Sequence, residues 1–421
     1  MKVLVVGSGG REHAIIHKLL QNKKISKIYC APGNAGIGQL AELVPIGATE
    51  IDKLVDFAKS EGIDFTVIGM DDPLVAGIVD AFEAENLRVF GPRKNAAIIE
   101  GSKAYSKELM KKYNIPTANY ETFDNYDKAL EYIKKGDFPV VLKADGLALG
   151  KGVLICNTLN EAEAGLKTIM VDKKFGDSGN KVVIEEFLTG PEVSVLSFCD
   201  GKTIVPMVSA QDHKRAYDND EGLNTGGMGT FSPSRVYTDE IAKECMEKIF
   251  KPTVDGLNKE GRTFKGIIFF GLMLTQKGPK VIEYNARFGD PETQVVLPRL
   301  KTDLLDIFEA CVDGTLDKLN IEWYDSGTAC VILASGGYPE SYTKGYEING
   351  LDDAAKAENI YVYHAGTALK DNKFVTNGGR VLGITGVGAN LDEAIKIAYE
   401  GVKLVNFKDM HYRKDIGIKK Y

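Results

Sequence analysis

Tryptophan occurs once in the 421 residues and cysteine six times. The cysteines (Cys30, Cys156, Cys199, Cys245, Cys311 and Cys330) are scattered and form no CxxC pair. This argues against a disulfide framework and fits a reducing compartment, so a cytoplasmic location is expected. No apolar run approaches the ~20 residues of a membrane span. The stretch Met1-Lys2-Val3-Leu4-Val5-Val6-Gly7 reaches glycine after one short strand, which is not the pattern of a signal peptide. No long run of one charge sign occurs, and 52 basic against 59 acidic residues leave a net charge of −7. Nucleic acid and anionic membrane surfaces are therefore not expected partners. Internal repeats and low-complexity segments are missing too. So is a Walker A loop, since no G-x-x-x-x-G-K-[ST] occurs.

Glycine, by contrast, is abundant at 45 residues, against a usual share of ~7%. The glycines cluster between apolar runs, where backbones turn tightly or approach phosphates. At roughly 150 residues per domain the length suggests two to four domains. Strand patterns at 2–6, 27–30, 65–68 and 88–90 alternate with helical patterns at 13–20 and 51–59. That alternation predicts a parallel sheet covered on both faces, with ligands at the carboxyl ends of its strands. Residues 1–101 are read as this doubly wound α/β domain. A compact α+β lobe follows, with strands at 138–143, 153–156 and 182–186 around a glycine loop. The polar, glycine-rich stretch 211–234 is read as a long functional loop. A helix at 239–260 and strands at 266–275 and 280–284 complete a central region ending near 325. Residues 326–421 form a small C-terminal α+β domain, with strands at 328–334 and 380–385 and a helix at 391–405.

Four clusters carry chemistry. Gly7-Ser8-Gly9-Gly10-Arg11-Glu12-His13 follows a strand and opens a helix, a place that favours an anion. Glu12 breaks the dinucleotide fingerprint, and the second strand ends Tyr29-Cys30-Ala31-Pro32 without a ribose acid. A tight structural turn remains the plain alternative. Lys143, followed by the loop to Gly152 with Gly150 and Lys151, places two lysines and several amides where they could surround a polyphosphate. A solvated hairpin is the alternative there. Glu185-Glu186-Phe187-Leu188 offers main-chain groups to a purine edge and Glu192 a carboxylate to ribose hydroxyls, or else forms an ordinary edge strand. Glu283 and Asn285 alternate along a strand and share a face. One carboxylate and one amide oxygen suit Mg²⁺ when phosphates supply the remaining ligands. Arg287 could balance transition-state charge on the same face.

Together, Lys143, the glycine loop, Glu185–Leu188, Glu192 and Glu283-x-Asn285 resemble the ATP-grasp superfamily. Five further blocks resemble its phosphoribosylamine–glycine ligase family: Gly9–Ala14, Ala31–Gly36, Gln211–Arg215, Asn224–Gly229 and Arg287–Glu292. His364–Thr367, Thr376–Arg380 and Arg413–Gly417 extend the resemblance to residue 417. It implies a pre-ATP-grasp domain, a two-lobed ATP-grasp fold whose nucleotide lobe (about 117–188) moves, and a C-terminal domain. It implies ATP and Mg²⁺ or Mn²⁺ as cofactors, with glycine and 5-phosphoribosylamine as substrates. Lys103 joins Lys143 on the ATP side. Gly9, Gly10, Arg11, Asn34, Asp212, Lys214, Asn224, Gly226, Gly227, Arg287 and Asp290 fall on the substrate side, with Arg287 and Asp212 catalytic. The implied reaction activates glycine as glycyl phosphate, which the amine then attacks. A monomer or weak homodimer is expected.

Two positions depart from the pattern. Asp71, in Gly69-Met70-Asp71-Asp72-Pro73, stands where the family has glutamate, and Phe270–Met273 carries no acidic metal ligand. The rival readings are a carboxylating or formate-using ATP-grasp enzyme, a nicotinamide dehydrogenase and a non-catalytic nucleotide-binding regulator.

Overall fold

The computed structural model describes residues 1–147 and 152–418. Gly150 and Lys151 lie outside the described residues. The chain begins with five parallel strands in the order Glu42–Leu43, Lys27–Pro32, Lys2–Gly7, Phe65–Ile68, Val89–Phe90. Val3 to Val6 are fully buried because both faces of the sheet are covered. Val3 and Val5 pack with Ile15, Ile16 and Leu19 of the helix Gly10–Leu19. Leu4 and Val6 pack with Leu54 and Ala58 of the helix Ile51–Glu61 on the other side. The doubly wound expectation therefore holds. Strand order reverses at Lys2–Gly7, which opens a crevice at Gly7–Gly10 and Gly69–Asp71. Helix Leu304–Asp313 closes the first face, with the Phe90 and Phe308 rings stacked 4.1 Å apart. Burying such a ring contributes roughly 1.5–3 kcal/mol.

The nucleotide lobe is a four-stranded antiparallel sheet, ordered Tyr120–Phe123, Val182–Glu186, Val140–Ala144, Val153–Cys156. It has its own core around Leu142, Leu166, Ile169 and Ile184. The second central sheet, also antiparallel, runs Ile204–Pro206, Glu192–Asp200, Lys265–Thr275, Gly278–Asn285.

Residues 211–234 are not a structureless loop, which corrects the expectation from sequence. They hold the strands Gln211–Asp212, Arg215–Tyr217, Glu221–Asn224 and Gly229–Ser232. Gln211–Asp212 and Gly229–Ser232 join the C-terminal sheet, beside Gly327–Ser335, Arg380–Gly388 and Ile360–His364. Polarity hid them because their buried hydroxyls are satisfied by other protein groups and not by water. The Ser232 hydroxyl donates to Ser209 O (2.7 Å) and accepts from Arg299 Nη1 (2.8 Å). Thr230 donates to Gln211 O (2.8 Å). Helix Leu391–Leu404 covers this sheet, and Gly386 and Gly388 let its backbone approach too closely for a side chain to intervene. Among the described residues, no helix is long and apolar enough to cross a membrane.

The first and last domains meet through histidines. His364 N–H donates to His13 Nδ1 (2.8 Å), and Asn34 Nδ2 donates to His364 O (2.9 Å). Burial pushes His364 and His213 down to about 4, and His13 well below its ordinary value. A depressed histidine contributes stability that is complete above its unfolded value near 6.5 and is lost as pH falls toward 4. At pH 5.5, His364 and His213 should each cost about 1.2 kcal/mol relative to pH 7. Thermal unfolding should show the melting temperature falling between pH 7 and 5.5. A flat profile there would mean that these rings take up protons as readily in the fold as in the unfolded chain.

Candidate functional site

The glycine turn is closed by its own chain. Glu12 Oε2 accepts the Gly9 N–H (2.6 Å), and Glu12 Oε1 accepts from Arg11 Nε (2.6 Å). The Glu12 side chain lies against Gly7 and Gly69, where any Cβ would collide with it. The residue that breaks the dinucleotide fingerprint thus occupies an amide that such a fold leaves for phosphate. Arg11 also donates to Phe288 O (3.0 Å). Burial opposes its charge, but Glu12, Asp290 and Asp71 raise its affinity for the proton overall. Asn34 bonds within the protein. Its Nδ2 donates to Ser8 O and His364 O (2.9 Å each), and its Oδ1 accepts from Ile37 N (3.0 Å).

On the nucleotide side, a strand and a helix converge on Glu185. Lys143 Nζ lies 2.9 Å from Glu185 Oε1, and Lys107 Nζ lies 3.0 Å from Glu185 Oε2. Lys143 also donates to Ile282 O (2.9 Å) and Lys107 to Thr117 Oγ1 (2.8 Å). Burial pulls Lys107 down to about 8. Sequence reasoning missed Lys107, although Lys103 and Lys107 stand four apart on the helix Lys103–Lys112 and so share a face. Lys103 donates to Gly146 O (2.9 Å) and is lowered by burial, with Glu283 opposing. Asp145 anchors the base of the loop by accepting from Ser102 Oγ (2.9 Å) and Ala104 N (3.0 Å). Gly152 O accepts from Ala144 N (2.9 Å). Glu186 accepts from Asn119 N and Lys280 Nζ (2.9 Å each), which joins the lobe to the strand Gly278–Asn285. Phe187 is exposed and Leu188 half-buried beyond the strand end.

Glu283 is the electrostatic centre. Its Oε1 lies 3.2 Å from Lys214 Nζ, which is also 3.8 Å from Glu192 Oε2. Lys214, aided by Lys143 and Lys103, overcomes burial and holds the Glu283 carboxyl down at about 2. Glu192, Ser194, Asp212, Lys214, Gly271 and Glu283 line one pocket. Residues assigned separately to nucleotide, metal and amine substrate thus meet. Asp212 is pushed well up, first by burial and then by Glu292, which is itself raised by burial. Two buried carboxylates near each other make a place for a cation.

A second cluster surrounds Arg287. Its Nη2 lies 3.0 Å from Glu100 Oε1 and 3.8 Å from Asp71 Oδ2, and it donates to Asn285 Oδ1 (3.2 Å). Arg287 Nε is buried and has no hydrogen-bond partner among the described residues. Glu100 Oε2 accepts from Ala286 N (2.6 Å). Sequence reasoning missed Glu100, which lies in the unremarkable helical stretch Lys94–Gly101. Burial, opposed by Arg287, raises the Glu100 carboxyl to about 7, and Glu100→Gln keeps the shape but weakens its pairing with Arg287 and its bond from Ala286 N. We expect a stability loss of about 1 kcal/mol by thermal unfolding. An unchanged melting temperature would remove Glu100 from the support of Arg287.

Arg380, which the sequence reading placed in a matching block without a site role, gathers the glycine block and Asp290. It donates to Gly226 O (2.6 Å) and Asp290 O (2.8 Å), and its Nη2 lies 3.4 Å from Asp290 Oδ1. The Gly226 N–H donates to Tyr338 Oη (3.1 Å) and the Gly227 N–H to Thr225 Oγ1 (3.0 Å). These two amides are therefore bonded within the protein. Gly227 has φ +114° and lies against Asp212, where a Cβ would reach 2.7 Å from its carboxylate. Asn224 closes the hairpin opposite Arg215. Gly10 packs on Gln294, whose Nε2 donates to Asp290 Oδ1 (2.8 Å).

The donor set fits a hard cation bridged to phosphates. Glu283 is held ionised, and Asn285 Oδ1 keeps a lone pair beyond its bond to Arg287. Among the described residues, no three His, Cys, Asp or Glu side chains gather to hold a metal alone. Such a site needs ligands from the nucleotide, as Mg²⁺ commonly does.

Comparisons agree with this geometry. Residues 1–100 match the phosphoribosylglycinamide synthetase N domain, 101–293 its ATP-grasp (A) domain and 328–419 its C domain. The phosphoribosylamine–glycine ligase of Caldanaerobacter subterraneus subsp. tengcongensis is 53% identical over 99% of each chain. That of Clostridium acetobutylicum is 50% identical over the same share. The crystal structure of the Thermotoga maritima phosphoribosylamine–glycine ligase superposes with a TM-score of 0.86 at 36% identity, covering 99% of this chain and 100% of that one. A biotin carboxylase domain from Hydrogenobacter thermophilus, solved with MgADP, shares only the fold, with a TM-score of 0.75 at 16% identity over 98% and 91%. The chain belongs to the phosphoribosylglycinamide synthetase family of ATP-grasp ligases.

Proposed function

We propose that the protein joins glycine to 5-phosphoribosylamine with ATP, giving glycinamide ribonucleotide, ADP and phosphate. The observation that carries this is the shared pocket of Glu192, Asp212, Lys214 and Glu283. A carboxylate is a poor electrophile until one oxygen becomes a phosphate leaving group. In this reading a glycine carboxylate oxygen takes the terminal phosphoryl group of ATP, forming glycyl phosphate. The amine nitrogen of phosphoribosylamine then bonds to the acyl carbon, the carbon–oxygen bond breaks, phosphate departs and the nitrogen loses a proton.

The chain's own residues bind and balance charge. Lys143 and Lys103 face the phosphates, and Gly152 belongs to the same side; Gly150 and Lys151, read from sequence as ATP contacts, lie outside the described residues. The main chain at Glu185–Leu188 takes the purine and Glu192 the ribose. Glu283 and Asn285 would hold Mg²⁺ or Mn²⁺, which would supply charge neutralisation for phosphoryl transfer. Asp212 receives an ammonium group. Arg287 and Lys214 meet anionic oxygens, and Arg11, Asp290 and the Gly9–Gly10 turn complete the substrate side. Asp71, which lies near Arg287 and Arg11, acts through those arginines. We place this activity in the cytoplasm, in a monomer or weak homodimer, with no nucleic acid or membrane involved.

The test is phosphate release from ATP with phosphoribosylamine generated in place. Release should require glycine, and ATP should bind where NAD does not. Glycine-independent release, or bicarbonate replacing glycine, would overturn the assignment.

A further inference from the structure

We propose that the segment 411–417 is a strap that fixes Asp212 and Lys214 in the pocket, with Arg413 as its positioning residue. This rests on the reading of Asp212 and Lys214 as contacts of the amine-bearing substrates. Between these two residues, His213 is bonded at both ring nitrogens. Its Nδ1 donates to Gly229 O (3.2 Å), and its Nε2 accepts from Gly417 N (3.3 Å). His213 therefore ties the loop to the strap rather than to substrate.

Downstream of Lys214 the chain forms the hairpin Arg215–Tyr217 and Glu221–Asn224, an isolated two-stranded pair. Such a ribbon is marginal alone, and Tyr217 and Leu223 are exposed on it. The strap grips it along its length. Arg413, 1% exposed, donates to Arg215 O (3.2 Å) and Asp220 Oδ1 (3.0 Å), and bonds Asp415 through Nε (2.8 Å) and Nη2 (2.7 Å). Asp415 Oδ2 accepts from Asn219 N (2.9 Å), Asp218 Oδ1 from Lys414 N (2.7 Å), and Ala216 O bonds His411 Nε2 (2.7 Å). The strap is itself pinned to the helix Leu391–Leu404, because Tyr399 Oη donates to Arg413 O and accepts from Ile416 N (2.9 Å each). A planar guanidinium in a fork with Asp415 fixes direction as well as distance. Lysine at 413 keeps the charge and loses the fork.

The test compares Arg413→Lys, Asp415→Asn and, as reference, Lys214→Ala. Steady-state constants for ATP and glycine are measured with phosphoribosylamine generated in place, and amide hydrogen exchange is followed over 213–224. The strap predicts that both strap variants exchange faster in the hairpin. Their glycine KM should rise about tenfold, the scale of a small misplacement, with ATP KM within about twofold. Faster hairpin exchange with an unchanged glycine KM would overturn the proposal, as would unchanged exchange. If Arg413→Lys fails to fold, Asp415→Asn, whose side chain is partly exposed, decides alone. An unchanged glycine KM in Lys214→Ala would instead overturn the reading of the pocket.

Discussion

Glu283→Gln is expected to keep ATP bound and to lower turnover by roughly 100-fold or more, the scale for losing a preorganised charge at the reacting centre. The substitution preserves shape and removes one negative charge. That charge sits among Lys214, Lys143 and Lys103, which hold its carboxyl at about 2, so it is present throughout the working pH range. A neutral amide leaves those three ammonium groups less balanced and takes away the only anionic metal donor proposed. Nucleotide affinity should survive, because Lys143 and the main chain beyond Val182–Glu186 are untouched. The measurement is nucleotide binding by calorimetry beside turnover at saturating Mg²⁺. Wild-type turnover in this variant would sink the metal assignment.

Asp212→Asn should weaken the amine-bearing substrates by about 2–3 kcal/mol, the cost of leaving a partly buried charge without its partner. ATP affinity should change little. Burial and Glu292 raise the proton affinity of Asp212, and an arriving ammonium reverses that pressure. The His213 N–H, which donates to Asp212 Oδ1 (2.7 Å), remains able to bond the amide oxygen of asparagine, so the loop should keep its shape. Titration with glycine in the presence of a non-hydrolysable ATP analogue reads the effect. Unchanged glycine and phosphoribosylamine constants would move Asp212 out of the site.

How much was legible follows from where each residue finds its partners. Val3 to Val6 read as a central strand because both faces are apolar. Lys143 read as a candidate because it ends a strand before a glycine loop, and Glu283-x-Asn285 because strand alternation puts both oxygens on one face. The strands within 211–234 were illegible, since the hydroxyls of Thr230, Ser232 and Ser234 read as loop polarity although Gln211, Ser209 and Arg299 satisfy them inside the fold. Lys107 and Glu100 were missed for a related reason: each gains meaning only from a residue 78 or 187 positions away, Glu185 or Arg287. Asn34, Gly9, Gly226 and Gly227 stand on the substrate side by resemblance, yet the structure engages their amides internally. Sequence identity at a position does not reveal which of its polar groups remain open.

The shared C-terminal sheet constrains how the gene can be cut. Gly229–Ser232 pairs with Gly327–Ser335 along four residues, from Gly229 opposite Val331 to Ser232 opposite Thr328. A recombinant fragment ending near residue 326 would contain every proposed nucleotide and metal ligand. It would also carry a bare strand edge where Thr328–Val331 belongs, and Arg299 and Ser232 would face water in place of a neighbouring strand. Unpaired edges of this kind recruit other chains. Such a fragment should aggregate on expression, and a split pair of fragments should recover solubility only when the C-terminal piece is produced alongside it.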